Sequence, residues 1–111
     1  MRKKIIPRRA KRYPVRLPVM ELNGRPVSDT LLVDVSSLGA RLESTTPLAP
    51  RNVAEFVVTL PGHNGPMKLS GTVVWMRPLL HAPGRFHLGL QFFAPCWEID
   101  RLAQKGLLTA D

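Results

Sequence analysis

Two clusters in this 111-residue chain carry side chains suited to an anionic ligand rich in hydrogen-bonding groups. The first is Arg8-Arg9-Ala10-Lys11-Arg12, which contains an Arg-x-x-x-Arg spacing. The second is Asp34-Val35-Ser36-Ser37-Leu38-Gly39, a D-x-S-x-x-G element. A guanidinium is permanently charged and planar. It holds a phosphate or the O6/N7 edge of guanine through paired N–H bonds, and it stacks flat on a base. A carboxylate at Asp34 is complementary, accepting from N–H donors, which an arginine cannot do. Ser36 adds a hydroxyl, and the backbone N–H groups beside it are further donors. Gly39 supplies either a positive φ or room for a close approach.

The charge distribution agrees with an anionic partner. Residues 1–16 hold eight Arg and Lys and no acid, while the remainder holds eight basic and eight acidic side chains. The whole formal charge of +8 therefore sits in an N-terminal arm. Such an arm meets a nucleotide, a nucleic acid or a lipid head group.

The length fits one domain with one modest core. A single cysteine, Cys96, excludes an internal disulfide framework and a multi-cysteine metal site. His63, His81 and His87 lack metal-ligand spacing. A basic start followed by Ile5-Ile6 and then Pro7-Arg8-Arg9 has no apolar signal core, and no window approaches a membrane span. These features point to a soluble cytoplasmic protein. There is no Ser/His/Asp or Cys/His set, no phosphate-cradling glycine loop and no H-E-x-x-H. Asp34 with Ser36 lacks a base to activate the serine, so binding without turnover is expected.

Eleven Pro and eight Gly cut the chain into short segments, which favours a β-rich barrel or sandwich. The pattern gives strands at 15–22, 30–35, 40–43, 53–60, 67–76 and 86–92, with Pro14 and Pro18 placing the first at an edge or bend. Asn23-Gly24 and the loop from Pro61 to Pro66 are turn signals. Phe86, Leu88, Leu90 and Phe92 alternate onto a buried face. Residues 97–105 read as a short helix stopped by Gly106, with Ile99, Leu102 and Ala103 closing one end of a barrel. Trp97 is expected to pack that helix, Cys96 to be a small buried residue, and Met20, Met67 and Met76 to fill the core. Arg41 and Arg77 read as surface charges. Trp75 shares the parity of Leu69 and Val73, which places it in the core or at the barrel rim.

Taken together and in this order, the two clusters resemble the PilZ domain, a bacterial receptor family for cyclic di-GMP. Ala40-Arg41-Leu42 continues the second motif and Gly89-Leu90-Gln91-Phe92 ends the barrel, so the resemblance runs from Arg8 to the C-terminal helix. It implies an antiparallel β-barrel of about six strands with a short C-terminal α-helix and a flexible basic arm, the arm being residues 1–12 and the barrel 13–111. It also implies that Arg8 and Arg12 bind guanine and phosphate, and that Asp34, Ser36 and Gly39 form the second half of the site. Arg9 is a further ligand candidate. Trp75 and Arg77, at the end of a strand bordering the site, are additional ones. The implied role is a receptor without cofactor or metal, whose arm changes conformation on ligand binding and signals to a partner protein in motility, adhesion or biofilm control.

Two other readings compete. A nucleic-acid-binding β-barrel would track phosphates with the arm. It would want exposed aromatic platforms, and only seven residues are Phe, Trp or Tyr. A PilZ-type interaction module without nucleotide binding would have no use for the arginines. Alone, a basic arm is a polyanion tether and D-x-S-x-x-G is a turn; their pairing carries the receptor reading.

Overall fold

Alternating apolar residues build the strands, and the breaks between them fall at Gly and Pro. The computed structural model of the chain describes residues 10–108. Its elements are β1 (Tyr13–Leu22), β2 (Arg25–Pro26), β3 (Leu31–Val35), β4 (Gly39–Ser44), β5 (Val53–Val58), β6 (Met67–Pro78), β7 (Phe86–Phe92) and α1 (Trp97–Gln104). All strand pairings are antiparallel, in the order β2-β1-β3-β4-β7-β6-β5, and β1 also pairs with β5. Six strands thus close a barrel, and the two-residue β2 adds a hairpin to β1 through Asn23-Gly24, both at positive φ. Closure removes the sheet edges that an open sheet would expose.

One strand serves two partners. The first half of β1 pairs with β3, from Tyr13↔Val35 to Pro18↔Leu31; the second half pairs with β5, from Val19↔Val58 to Leu22↔Phe56. Pro14 and Pro18 lie where β1 has one partner only, and a register shift falls between Pro14 and Leu17, as their missing donors require.

Leu32, Val35, Leu42, Phe56, Val58, Val73 and Leu88 fill the barrel, each 1% exposed or less. Leu90 and Phe92 join them, while Phe86 is half-buried. Ile99, Leu102 and Leu108 belong to the same core, with Ala103 packed against it, so α1 completes the interior.

Two packing expectations are corrected. Trp97 is 65% exposed, because Ile99 and Leu102 set the inward face of α1 and Trp97 stands on its far side. Met20 is 46% exposed, because strand alternation faces it outward beside the buried Val19. The register shift between Val19 and Glu21 then returns Leu22, and not Met20, to the interior, and the Met20 sulfur accepts from the Thr59 hydroxyl. Cys96 is half-buried with Sγ 3.9 Å from Met67 Sδ, and burial raises its thiol pKa.

Candidate ligand-binding site

A β3–β4 hairpin presents the D-x-S-x-x-G element. Ser36 N–H donates to the Gly39 carbonyl (2.8 Å), and Ser36 Oγ accepts from the N–H groups of Leu38 (3.1 Å) and Gly39 (3.2 Å). The hydroxyl is therefore spent on its own turn, and Ser36 is 1% exposed. Gly39 does not adopt a positive φ. Its requirement is space: a Cβ there would collide with the carbonyl oxygen of Leu90 on the adjacent strand. The turn is also tied to the end of the barrel. The Leu38 carbonyl accepts from Phe92 N–H (2.8 Å), and the Ser37 carbonyl accepts from Cys96 N–H (2.7 Å) just before α1.

This scaffold points Asp34 at the arm. Tyr13↔Val35 pairing sets Arg12, one residue earlier, beside the turn. Arg12 Nε donates to Asp34 Oδ1 at 3.0 Å, so the two motifs, twenty-two residues apart, meet. Asp34 Oδ2 lies 3.5 Å from a terminal guanidinium nitrogen of Arg41. Arg41 is its cross-strand partner on β4. Arg12 remains 46% exposed at its side chain and Asp34 15%. A solvent-facing pair of this kind contributes about 0.2–1 kcal/mol, little enough for a ligand to exchange it.

Next to this pair is an open groove of about 280 Å³, lined by Arg12, Ser36, Gly39, Trp75, Gly89 and Gln91, with Ala10, Leu38, Ala40, Val74 and Leu90 completing it. Trp75 reaches it because β6 bulges between Val73 and Trp75. The extra residue, Val74, breaks the parity that otherwise runs inward from Leu69 to Val73, so Trp75 turns to the outer face instead of the core. Its indole rests on Gly89, and the Arg77 guanidinium stands 4.8 Å from the ring centroid. Arg77 therefore touches the site through Trp75 and does not line the groove.

Beside these residues on the same outer face, Glu43 binds Arg85 Nε at 2.8 Å and approaches His87 Nε2 at 3.8 Å. Burial, and after it the nearby Arg41 charge, lower the His87 pKa against the opposing pull of Glu43. His87 is thus neutral at pH 7, and its contact with Glu43 is not an ion pair there.

The structure brings together Arg12, Asp34, Ser36, Gly39 and Trp75, with Arg77 behind the indole. Arg8 and Arg9 lie outside the described residues. Arg41 and Gly89 are additions. The Asp34–Arg41 juxtaposition was available in the sequence, since folding 35 onto 40 across the turn folds 34 onto 41. Nothing local signals Gly89, whose place depends on pairing among β4, β7 and β6. No group of three or more His, Cys, Asp or Glu among the described residues is placed to hold a metal, and no described helix is long and apolar enough to cross a membrane.

No curated protein and no solved structure matches this chain. The family model for the PilZ domain matches residues 7–100, which include the arm arginines, the D-x-S-x-x-G turn, all seven strands and the start of α1. That match covers most of the chain, and PilZ domains are binding and adaptor modules for cyclic di-GMP, not enzymes. With a six-stranded closed barrel in the structure and a family match over residues 7–100, the chain belongs to the PilZ domain family.

Proposed function

We propose that this protein is a cytoplasmic cyclic di-GMP receptor that works as an adaptor. Arg8, Arg9 and Arg12 hold the ligand's phosphates and guanine edges, Asp34 accepts from guanine N–H groups, and Trp75 stacks on a base. Ser36 and Gly39 act by shaping the turn that aims Asp34. Arg77 supports the indole from its outer side. The observation that carries the reading is the meeting of Arg12 with Asp34 at the mouth of a groove walled by Trp75. A cyclic dinucleotide offers two phosphate charges and two purine faces; the groove offers a guanidinium and an aromatic plane to match, and the Asp34 carboxylate stands beside it on Arg12.

Ligand binding exchanges the Arg12–Asp34 contact for contacts to phosphate and base. The arm, residues 1–12, then moves over the barrel 13–111 and presents a new charge pattern. A partner protein reads that pattern, in the setting of motility, adhesion or biofilm control. Isothermal titration calorimetry tests the first step, with cyclic di-GMP as ligand and GMP and a short oligonucleotide as controls. Saturable binding of cyclic di-GMP alone, at about −8 kcal/mol or better, supports the receptor. Heat with the oligonucleotide alone sinks it in favour of nucleic-acid binding.

A further inference from the structure

Arg41 stands between two acids on one sheet face, and only one of them is available to it. Glu43, two residues along β4, is engaged by Arg85 at 2.8 Å and approached by His87. Asp34, directly across the β3–β4 ladder, is the carboxylate that Arg41 reaches. The contact is incomplete. One terminal nitrogen lies 3.5 Å from Oδ2, while Arg41 Nε is buried and lacks a hydrogen-bond partner among the described residues. Meanwhile Arg12 takes the other Asp34 oxygen at 3.0 Å. On the far side of Arg41 the β7 neighbour is Gly89, which has no side chain to satisfy Nε. A guanidinium of this kind is half-used: its Nε–H and terminal N–H run parallel and suit both oxygens of one carboxylate.

We infer that Arg41 is the positioning residue for Asp34. It takes the carboxylate into a two-pronged grip when Arg12 leaves for the ligand, and so aims the remaining lone pairs at guanine. The inference rests on the cyclic di-GMP reading above. Each carboxylate oxygen has two lone pairs, so a grip by Arg41 leaves acceptor capacity for the ring N–H and the exocyclic amino group of guanine. Without Arg41, a carboxylate released by Arg12 has no cation fixing its plane. Binding then loses its preference for guanine as well as some strength. Arg12 arrives from the arm and Arg41 from the middle of the sheet, which divides the labour: the first is exchangeable, the second stays.

The test compares two ligands, cyclic di-GMP and cyclic di-IMP, which differ only in the guanine amino group. Calorimetry on the unaltered protein, Arg41→Gln and Arg41→Lys gives the affinity ratio for each. The unaltered protein is expected to prefer cyclic di-GMP by about tenfold or more, the worth of a hydrogen bond to a charged acceptor. In Arg41→Gln that preference falls to within about twofold, because the aimed carboxylate is lost. Arg41→Lys keeps the charge and lacks the fork; it regains overall affinity and not the preference, and it covers the case in which the glutamine variant folds poorly. Parallel loss for both ligands with an intact ratio marks a merely structural role and overturns the inference. Equal affinities in the unaltered protein overturn it too. Absence of cyclic di-GMP binding by the unaltered protein overturns the receptor reading itself, and the role of Arg41 falls with it.

Discussion

The indole of Trp75 rests on the α-carbon of Gly89, its cross-strand partner, so closely that any side chain at position 89 would run into the ring. Gly89 is not at positive φ, so its requirement is for space and not for an unusual backbone. A glycine on one strand thereby fixes the aromatic wall contributed by the next.

Gly89→Ala should push Trp75 out of place and weaken cyclic di-GMP binding by about 5- to 100-fold, the range expected for loss of one base-stacking contact. Trp75→Ala should produce a similar loss. The double variant should be no worse than either single one, because both remove the same contact. Calorimetric affinities of the three variants check this, and additive losses would separate the two residues.

Removing either half of the meeting point should abolish tight binding and leave the barrel folded. Arg12→Ala removes an exposed pair and should lower stability by less than about 1 kcal/mol. Asp34→Ala strands Arg41 and should be the more destabilising of the two. Each should weaken cyclic di-GMP binding by about tenfold or more. Circular dichroism melts alongside titrations separate fold from site, and undiminished affinity in both variants counts against the assigned roles.

His87 gives stability a pH dependence of definite sign. Its folded pKa is lowered, by burial first and Arg41 second, so the unfolded chain binds the proton more readily. Stability is at its full value above about pH 6.5, the ordinary histidine value, and declines as pH falls from there toward the folded pKa. His87→Asn should flatten that part of the profile. Denaturant unfolding between pH 7.5 and pH 5 measures it, and an identical slope in the variant removes His87 as the cause.

The two faces of α1 should respond oppositely to truncation. Leu102→Ala deletes a fully buried side chain and should destabilise by about 2–5 kcal/mol. Trp97→Ala alters an exposed residue and should shift stability by no more than about 0.5 kcal/mol. Chemical denaturation of both reads the difference.

Much of this molecule is written locally. Alternation fixed Phe86–Phe92 to the residue, turn chemistry placed the hairpin at Asn23-Gly24, and Ile99 with Leu102 marked the inward face of α1. The basic arm and the D-x-S-x-x-G turn were equally plain, since both are short runs whose chemistry depends on residue type and spacing. What the sequence did not determine depends on register between strands remote in the chain. Trp75 keeps the parity of buried residues until the bulge at Val74 turns it outward, and no local pattern marks that bulge. Gly89 becomes a site residue only because β7 lies between β4 and β6, which places it beside Arg41 on one side and under Trp75 on the other. Residue types set the chemistry available to the site. Closure of the barrel decided which of those groups face one another, because cross-strand neighbours are chosen by long-range hydrogen-bond pairing and not by distance along the chain.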